Sequence, residues 1–192
     1  CYRDFAVVTG DLSTYAPYIE TRFSQSNIPY FMDQTRGIVL NPVIEYIKSA
    51  LDIVLYDFRI EHVMHYLRSG MSSFTQEEAD EFENYILSRN INGKKKYEKI
   101  FTGEEETILA LNEMRLKLLE ELAPLFNINK ITGDMVRKLY DFLVWNHVEE
   151  KLKIYADMFA RDTDGVKEKE YSQIYVLLMD LLDQIISLIG EE

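Results

Sequence analysis

Two groups of residues in this sequence have types and spacings that chemistry can use. Glu61-His62-Val63-Met64-His65 sets two imidazoles three positions apart, a spacing that on a helix aims both at one metal ion. Its order is neither HExxH nor the inverted form, and a third ligand would have to come from elsewhere, so a surface or partly buried histidine pair is the better reading. Arg89, Lys94, Lys95, Lys96 and Lys99 gather in residues 85–101 against Glu98 alone, a local charge of +4. With Tyr97 and Phe101 interleaved, such a run can neutralise phosphates and stack on a base. The alternative is a lysine-rich solvent loop.

Other catalytic arrangements are missing. The single cysteine, Cys1, excludes an internal disulfide framework, a cysteine-rich zinc site and a locally held iron–sulfur cluster. No serine sits in a G-x-S-x-G elbow, and neither G-x-x-x-x-G-K-[ST] nor G-x-G-x-x-G occurs, so a self-contained P-loop ATPase is excluded. The 33 Asp and Glu residues are spread over polar helix faces, where chance proximity is expected and a solvated surface is the better account.

Charge sharpens the picture. The chain carries −12, from 33 acidic against 21 basic residues, the wrong sign for a simple nucleic-acid or anionic-membrane binder. That total averages unlike parts: residues 1–84 hold 6 basic and 13 acidic residues, and residues 102–192 hold 10 and 19, flanking the basic island. No apolar run approaches the ~18 residues of a membrane span, and no signal peptide opens the chain, so a soluble protein of a reducing compartment is expected. The opening Cys-Tyr-Arg-Asp, without Met, suggests a piece of a longer polypeptide.

The elements that position these residues are expected to be mainly helical. Only 8 glycines and 4 prolines occur among 192 residues, roughly half the usual share. Residues 5–9 and 28–32 read as short apolar strands around a helix carrying Tyr15, Tyr18, Ile19 and Phe23, with Thr14 as N-cap and Pro17 in the first turn, together one βαβ unit. From Asn41 the pattern changes to helices. Asn41 is the expected N-cap with Pro42 at the first helical position; Ile60, Val63, Met64 and Leu67 give a short helix stopped near Gly70. Thr75 with Glu78, and Thr102 with Glu105, form capping boxes; the second helix ends at Pro124. Helical stretches at 134–160, broken near Trp145-Asn146, and at 166–189 complete a compact bundle.

Several segments together resemble one family. Tyr2-Arg3-Asp4-Phe5-Ala6-Val7-Val8-Thr9, a helix, then Asn27-Ile28-Pro29-Tyr30-Phe31 resemble the second RecA-like domain of UvrD/Rep-type superfamily-one helicases, with Asn27 where Gly is usual. Asn27 therefore points to a turn with a left-handed residue. The run from Asp33-Gln34-Thr35-Arg36-Gly37 through Ile38-Val39-Leu40-Asn41-Pro42, with Leu67-Arg68-Ser69-Gly70, Glu83-Asn84-Tyr85 and Leu181-Leu182-Asp183-Gln184, is similar to the AddB/RexB subunit of bacterial ATP-dependent helicase–deoxyribonucleases.

The resemblance implies a mainly α fold: residues 1–40 as a short βαβ edge piece of a RecA-like domain, and 41–192 as the helical domain inserted into it. It implies a parent that processes double-strand DNA breaks for recombination in the cytoplasm, pairs with a motor–nuclease subunit, and binds ATP, magnesium and an iron–sulfur cluster outside this chain. No catalytic or metal-binding position of the family falls on a residue here, so the chain by itself is expected to be inactive. Two roles remain open: DNA contact through Arg89, Lys94, Lys95, Lys96, Tyr97 and Lys99, or docking onto the partner subunit without DNA.

Overall fold

A computed structural model describes residues 2–32, 41–103, 107–127, 132–162 and 164–189. The chain divides into two compact units, 1–37 and 38–192.

In the first unit, a 3-10 turn at Tyr2–Asp4 precedes helix α1, Leu12–Gln25. The expected strands at 5–9 and 28–32 do not form: both are non-helical segments outside any ladder, and no strand occurs among the described residues. Two short strands cannot hold a sheet by themselves, so nothing here satisfies their edges. The second segment instead follows the end of α1, where Asn27 is left-handed (φ 51), as the resemblance led us to expect. That turn lets the Ile28 N–H donate to Phe23 O at 2.9 Å and sets Tyr30 edge-on to Phe23 at 5.5 Å. The helix start is also corrected. Asp11, not Thr14, is the N-cap, its carboxylate accepting from Thr14 N at 3.2 Å. Pro17 therefore lies beyond the first turn, inside the helix.

The second unit is helical throughout its regular elements: α2 Pro42–Leu55, α3 Ile60–Leu67, α4 Gln76–Ser88, α5 Lys94–Tyr97, α6 Ile108–Leu122, a 3-10 turn Ala123–Leu125, α7 Thr132–Trp145, α8 Val148–Arg161 and α9 Gly165–Ile189. Local signals explain most starts. Asn41 Oδ1 accepts from Val43 N at 3.1 Å ahead of Pro42. Thr75 and Glu78 close the capping box in both directions, at 3.1 and 2.8 Å. Thr75→Ala should therefore cost about 1 kcal/mol, measured as a lowered urea midpoint at unchanged m-value. The other expected box cannot be judged at Glu105, which lies outside the described residues; α6 starts at Ile108 rather than beside Thr102, and Pro124 falls in the 3-10 turn that ends it.

The break near Trp145-Asn146 separates α7 from α8 at left-handed His147 (φ 53). Buried Asn146 holds the corner, its side-chain amide donating to Glu121 O at 3.0 Å and Phe142 O at 2.9 Å. α9 packs along both α8 and α7, α2 packs on α3, and α4 bridges α3 and α6. Tyr171 of α9 meets Tyr155 and Phe159 of α8 at 5.5 and 5.1 Å. Asn41 Nδ2 reaches Glu170 on α9 at 2.7 Å, tying the start of the bundle to its last helix.

A polar chain crosses the apolar core. Tyr66 donates to Glu121 Oε2 at 2.6 Å, which leaves the Tyr46 hydroxyl to donate to Tyr66 at 2.9 Å. The other Glu121 oxygen accepts from Ser73 N at 3.1 Å and from the Ser73 hydroxyl. Lys151 Nζ caps Met71 O nearby at 2.8 Å. Burial pushes the Lys151 ammonium below its ordinary pKa, partly countered by Glu121 and reinforced by Lys117. Among the described residues, no helix is long and apolar enough to cross a membrane.

Candidate nucleic-acid interface

The basic stretch folds as a tight corner between α4 and α6, built by residues that cannot easily be exchanged. Arg89 closes α4, and left-handed Asn90 (φ 47) turns the chain so that Ile91 N donates back to Ile86 O at 2.9 Å. Gly93 takes φ 90, and a Cβ there would stand 3.2 Å from Asp57 Oδ2, so the position favours glycine twice over. Asp57 Oδ1 accepts from Lys94 N at 3.1 Å, Phe58 O accepts from Gly93 N at 3.4 Å, and Asn92 Oδ1 accepts from Ile60 N at 3.1 Å. These three bonds lace the basic corner to the α2–α3 turn.

Most apolar members of the stretch face inward, while Leu87 and Ile100 are exposed. Ile91, Tyr97 and Phe101 are buried, Tyr97 completely so at 0% exposure. Its ring lies against Phe58, Phe82 and Phe101 at centroid distances of 5.4, 6.4 and 6.3 Å. The expectation that Tyr97 stacks on a base is thereby corrected: its alternation with lysines is the alternation of a core anchor on a one-turn helix. Burial raises the Tyr97 phenol well above its ordinary pKa. Buried Arg115 closes the inner side, donating to Tyr97 O at 3.0 Å and Asn112 Oδ1 at 3.1 Å, while Asn112 brackets the Phe101 backbone at 2.9 and 3.0 Å.

The cations sort by how much of each is committed. Lys94 Nζ sits 3.7 Å from the Phe126 ring centroid and 3.8 Å from Glu98. Lys96 Nζ donates to Asn90 O at 2.7 Å although the residue is exposed. Arg89 stands 6.0 Å from the Tyr85 ring. Lys95 and Lys99 are exposed. Sequence reading missed Arg59, an exposed cation at the N-cap of α3 directly before Ile60, whose N–H is held by Asn92. Arg59 precedes Lys94 by 35 positions, and no local pattern joins them.

Of the histidine pair, His62 is half-buried and His65 exposed. His62 stacks on Tyr56 at 4.8 Å and lies 3.9 Å from Asp52, and no group of three or more potential metal ligands occurs among the described residues. Fold and site define an α-helical domain with a laced, cation-bearing corner. No family model matches the chain. Over its whole length it is 34% identical to the B-type subunit of the ATP-dependent helicase/deoxyribonuclease of Lachnoclostridium phytofermentans, of which it covers 18%, and 34% identical to the protein of the same name from Clostridium novyi, of which it covers 17%. The Caldanaerobacter subterraneus counterpart is 31% identical over the full chain, again at 18% of its length. The chain is thus homologous throughout to a segment of this family of helicase/deoxyribonuclease subunits, and it spans under one-fifth of the length of the curated relatives it matches.

Proposed function

We propose that this chain is a non-catalytic helical accessory domain of a helicase/deoxyribonuclease subunit that acts in double-strand break repair and recombination, and that its basic corner contacts DNA phosphates. The observation behind this reading is the mounting of the cations: a +4 island in a −12 chain, carried on a corner that Ile91, Tyr97 and Phe101 anchor in the core. In this reading the parent works in the cytoplasm and binds ATP, magnesium and an iron–sulfur cluster outside this chain.

Replacing Lys94, Lys95 and Lys96 together by alanine should weaken DNA binding by the assembled helicase/deoxyribonuclease and flatten its dependence on salt. Each lost phosphate contact lowers the slope of log K against log salt by about 0.9. The check is a titration at two or more salt concentrations, and an unchanged slope would sink the phosphate reading.

A second reading, docking on the partner subunit, draws on exposed apolar residues of the closing helices: Val144 and Trp145 on α7, and Val176, Leu177, Leu181 and Leu188 on α9. It predicts that the chain captures the partner subunit and that the lysine variant leaves DNA binding intact.

A further inference from the structure

We propose that the α2–α3 turn and the basic corner together form a seat for one unpaired nucleotide, with the base stacked on Tyr56 and the adjoining phosphates held by Arg59 and the lysines of α5. This rests on the reading that the corner meets DNA, and deepens it.

Tyr97 being buried, the corner has no stacking ring of its own, but the turn it is laced to supplies one. Tyr56 follows α2 directly and is 49% exposed. The His62 ring lies nearly parallel to it, 4.8 Å away at 20°, and backs it as a two-ring platform. Neighbouring Leu55, 72% exposed, extends the apolar surface. The platform is fixed from below: Asp57 and Phe58 are both left-handed (φ 52 and 56), and Phe58 is buried against Tyr97 and Phe126 at 5.4 and 6.0 Å. An aromatic residue held by such a turn has little freedom left to lose when it stacks.

Charge around the platform is mixed, with Arg59, Lys94, Lys95 and Lys96 set among Asp52, Asp57, Glu61 and Glu98. Asp57 spends its carboxylate on Lys94 N, and Glu98 stands beside Lys94 Nζ, while Asp52 lies 3.9 Å from His62 Nδ1. Glu61 is an exposed neighbour of opposite sign. Arg59 and Lys95 are exposed cations, as is Lys96 beyond its bond to Asn90 O, and they stand on the same laced turn and corner that carry the exposed ring. Cations flanking an aromatic face make the pairing that single-stranded nucleic-acid sites use, because every base offers a π-face and every linkage a negative charge. An acidic peptide would use the cations and leave the ring idle.

The test compares oligo(dT) of about 12 nucleotides with an abasic strand of equal length and charge, both titrated into the 192-residue chain. Oligo(dT) should bind about tenfold more tightly. In Tyr56→Leu that advantage should vanish while the salt slope stays, and Tyr56→Phe should keep both; circular dichroism melts check that each variant folds. Equal binding of the two strands by the unaltered chain overturns the stacking seat and leaves the phosphate reading standing, with no variant needed. Binding that ignores Lys94→Ala, Lys95→Ala and Lys96→Ala in combination overturns the phosphate reading, and the seat with it. Oligoglutamate displacing oligo(dT) as readily as the abasic strand does would assign the corner to an acidic protein partner instead.

Discussion

Tyr97→Ala should lower the stability of the 38–192 unit by roughly 3–5 kcal/mol, the usual cost of deleting a large buried aromatic side chain. For a unit of this size that corresponds to a fall in Tm of at least about 6 °C. The ring is wholly buried among Phe58, Phe82 and Phe101, and α5, one turn long, has no stability without it. Tyr97→Phe should be nearly neutral, because the hydroxyl makes only a long 3.5 Å bond to Ile91 O. Thermal and urea melts of the two variants decide the matter, and an unchanged melt for Tyr97→Ala would return the residue to the surface role that its lysine neighbours suggest. Alkali provides a second handle. The Tyr97, Tyr46 and Tyr66 phenols are all raised above their ordinary 10.0, chiefly by burial. The stability they contribute is fully present below that value and is lost as pH rises toward their folded-state values, so the melt should weaken above about pH 10.

What could be read from the sequence were the features whose causes are local. Asn41 before Pro42, the Thr75–Glu78 box and the left-handed Asn27 each need only a few residues to act, and each stands where the pattern put it. The break at Asn146 was visible as a flaw in periodicity, although its reason, an amide reaching α6, was not. Local logic failed where two local answers competed: Asp11 and Thr14 are both good caps, and the carboxylate took the helix three residues earlier. It failed again for residues 5–9 and 28–32, whose apolar composition describes what a strand would bury but not whether a neighbouring strand exists. At the basic corner, residue types gave the charge but not the direction of the side chains. Tyr97 turned inward, and its place as an exposed ring passed to Tyr56, 41 positions away, which no spacing rule connects to Lys94.

Glu121→Ala should be the other markedly destabilising change, by roughly 1–3 kcal/mol, through a buried hydroxyl left stranded rather than through lost volume. The carboxylate takes hydrogen bonds from Tyr66 at 2.6 Å and from the backbone and hydroxyl of Ser73, so its removal orphans the buried Tyr66 hydroxyl, whereas exposed Ser73 can turn its donors to water. Tyr46 is tied to the same chain through Tyr66, and their rings stack at 4.9 Å, which carries the disturbance from α6 through α3 to α2. Lys151 adds a charge term. Its ammonium is already held below its ordinary pKa by burial, and Glu121 is the group that offsets this, so the variant should lower the Lys151 pKa further. A double-mutant cycle separates these effects. Tyr66→Phe alone should cost about 1–2 kcal/mol, and in the Glu121→Ala background it should cost almost nothing, since the hydroxyl has then lost its acceptor. Strict additivity of the two changes would mean that the carboxylate and the phenol act independently, and that the buried chain of hydroxyls is a coincidence of packing rather than the tie between the first and middle helices of the bundle.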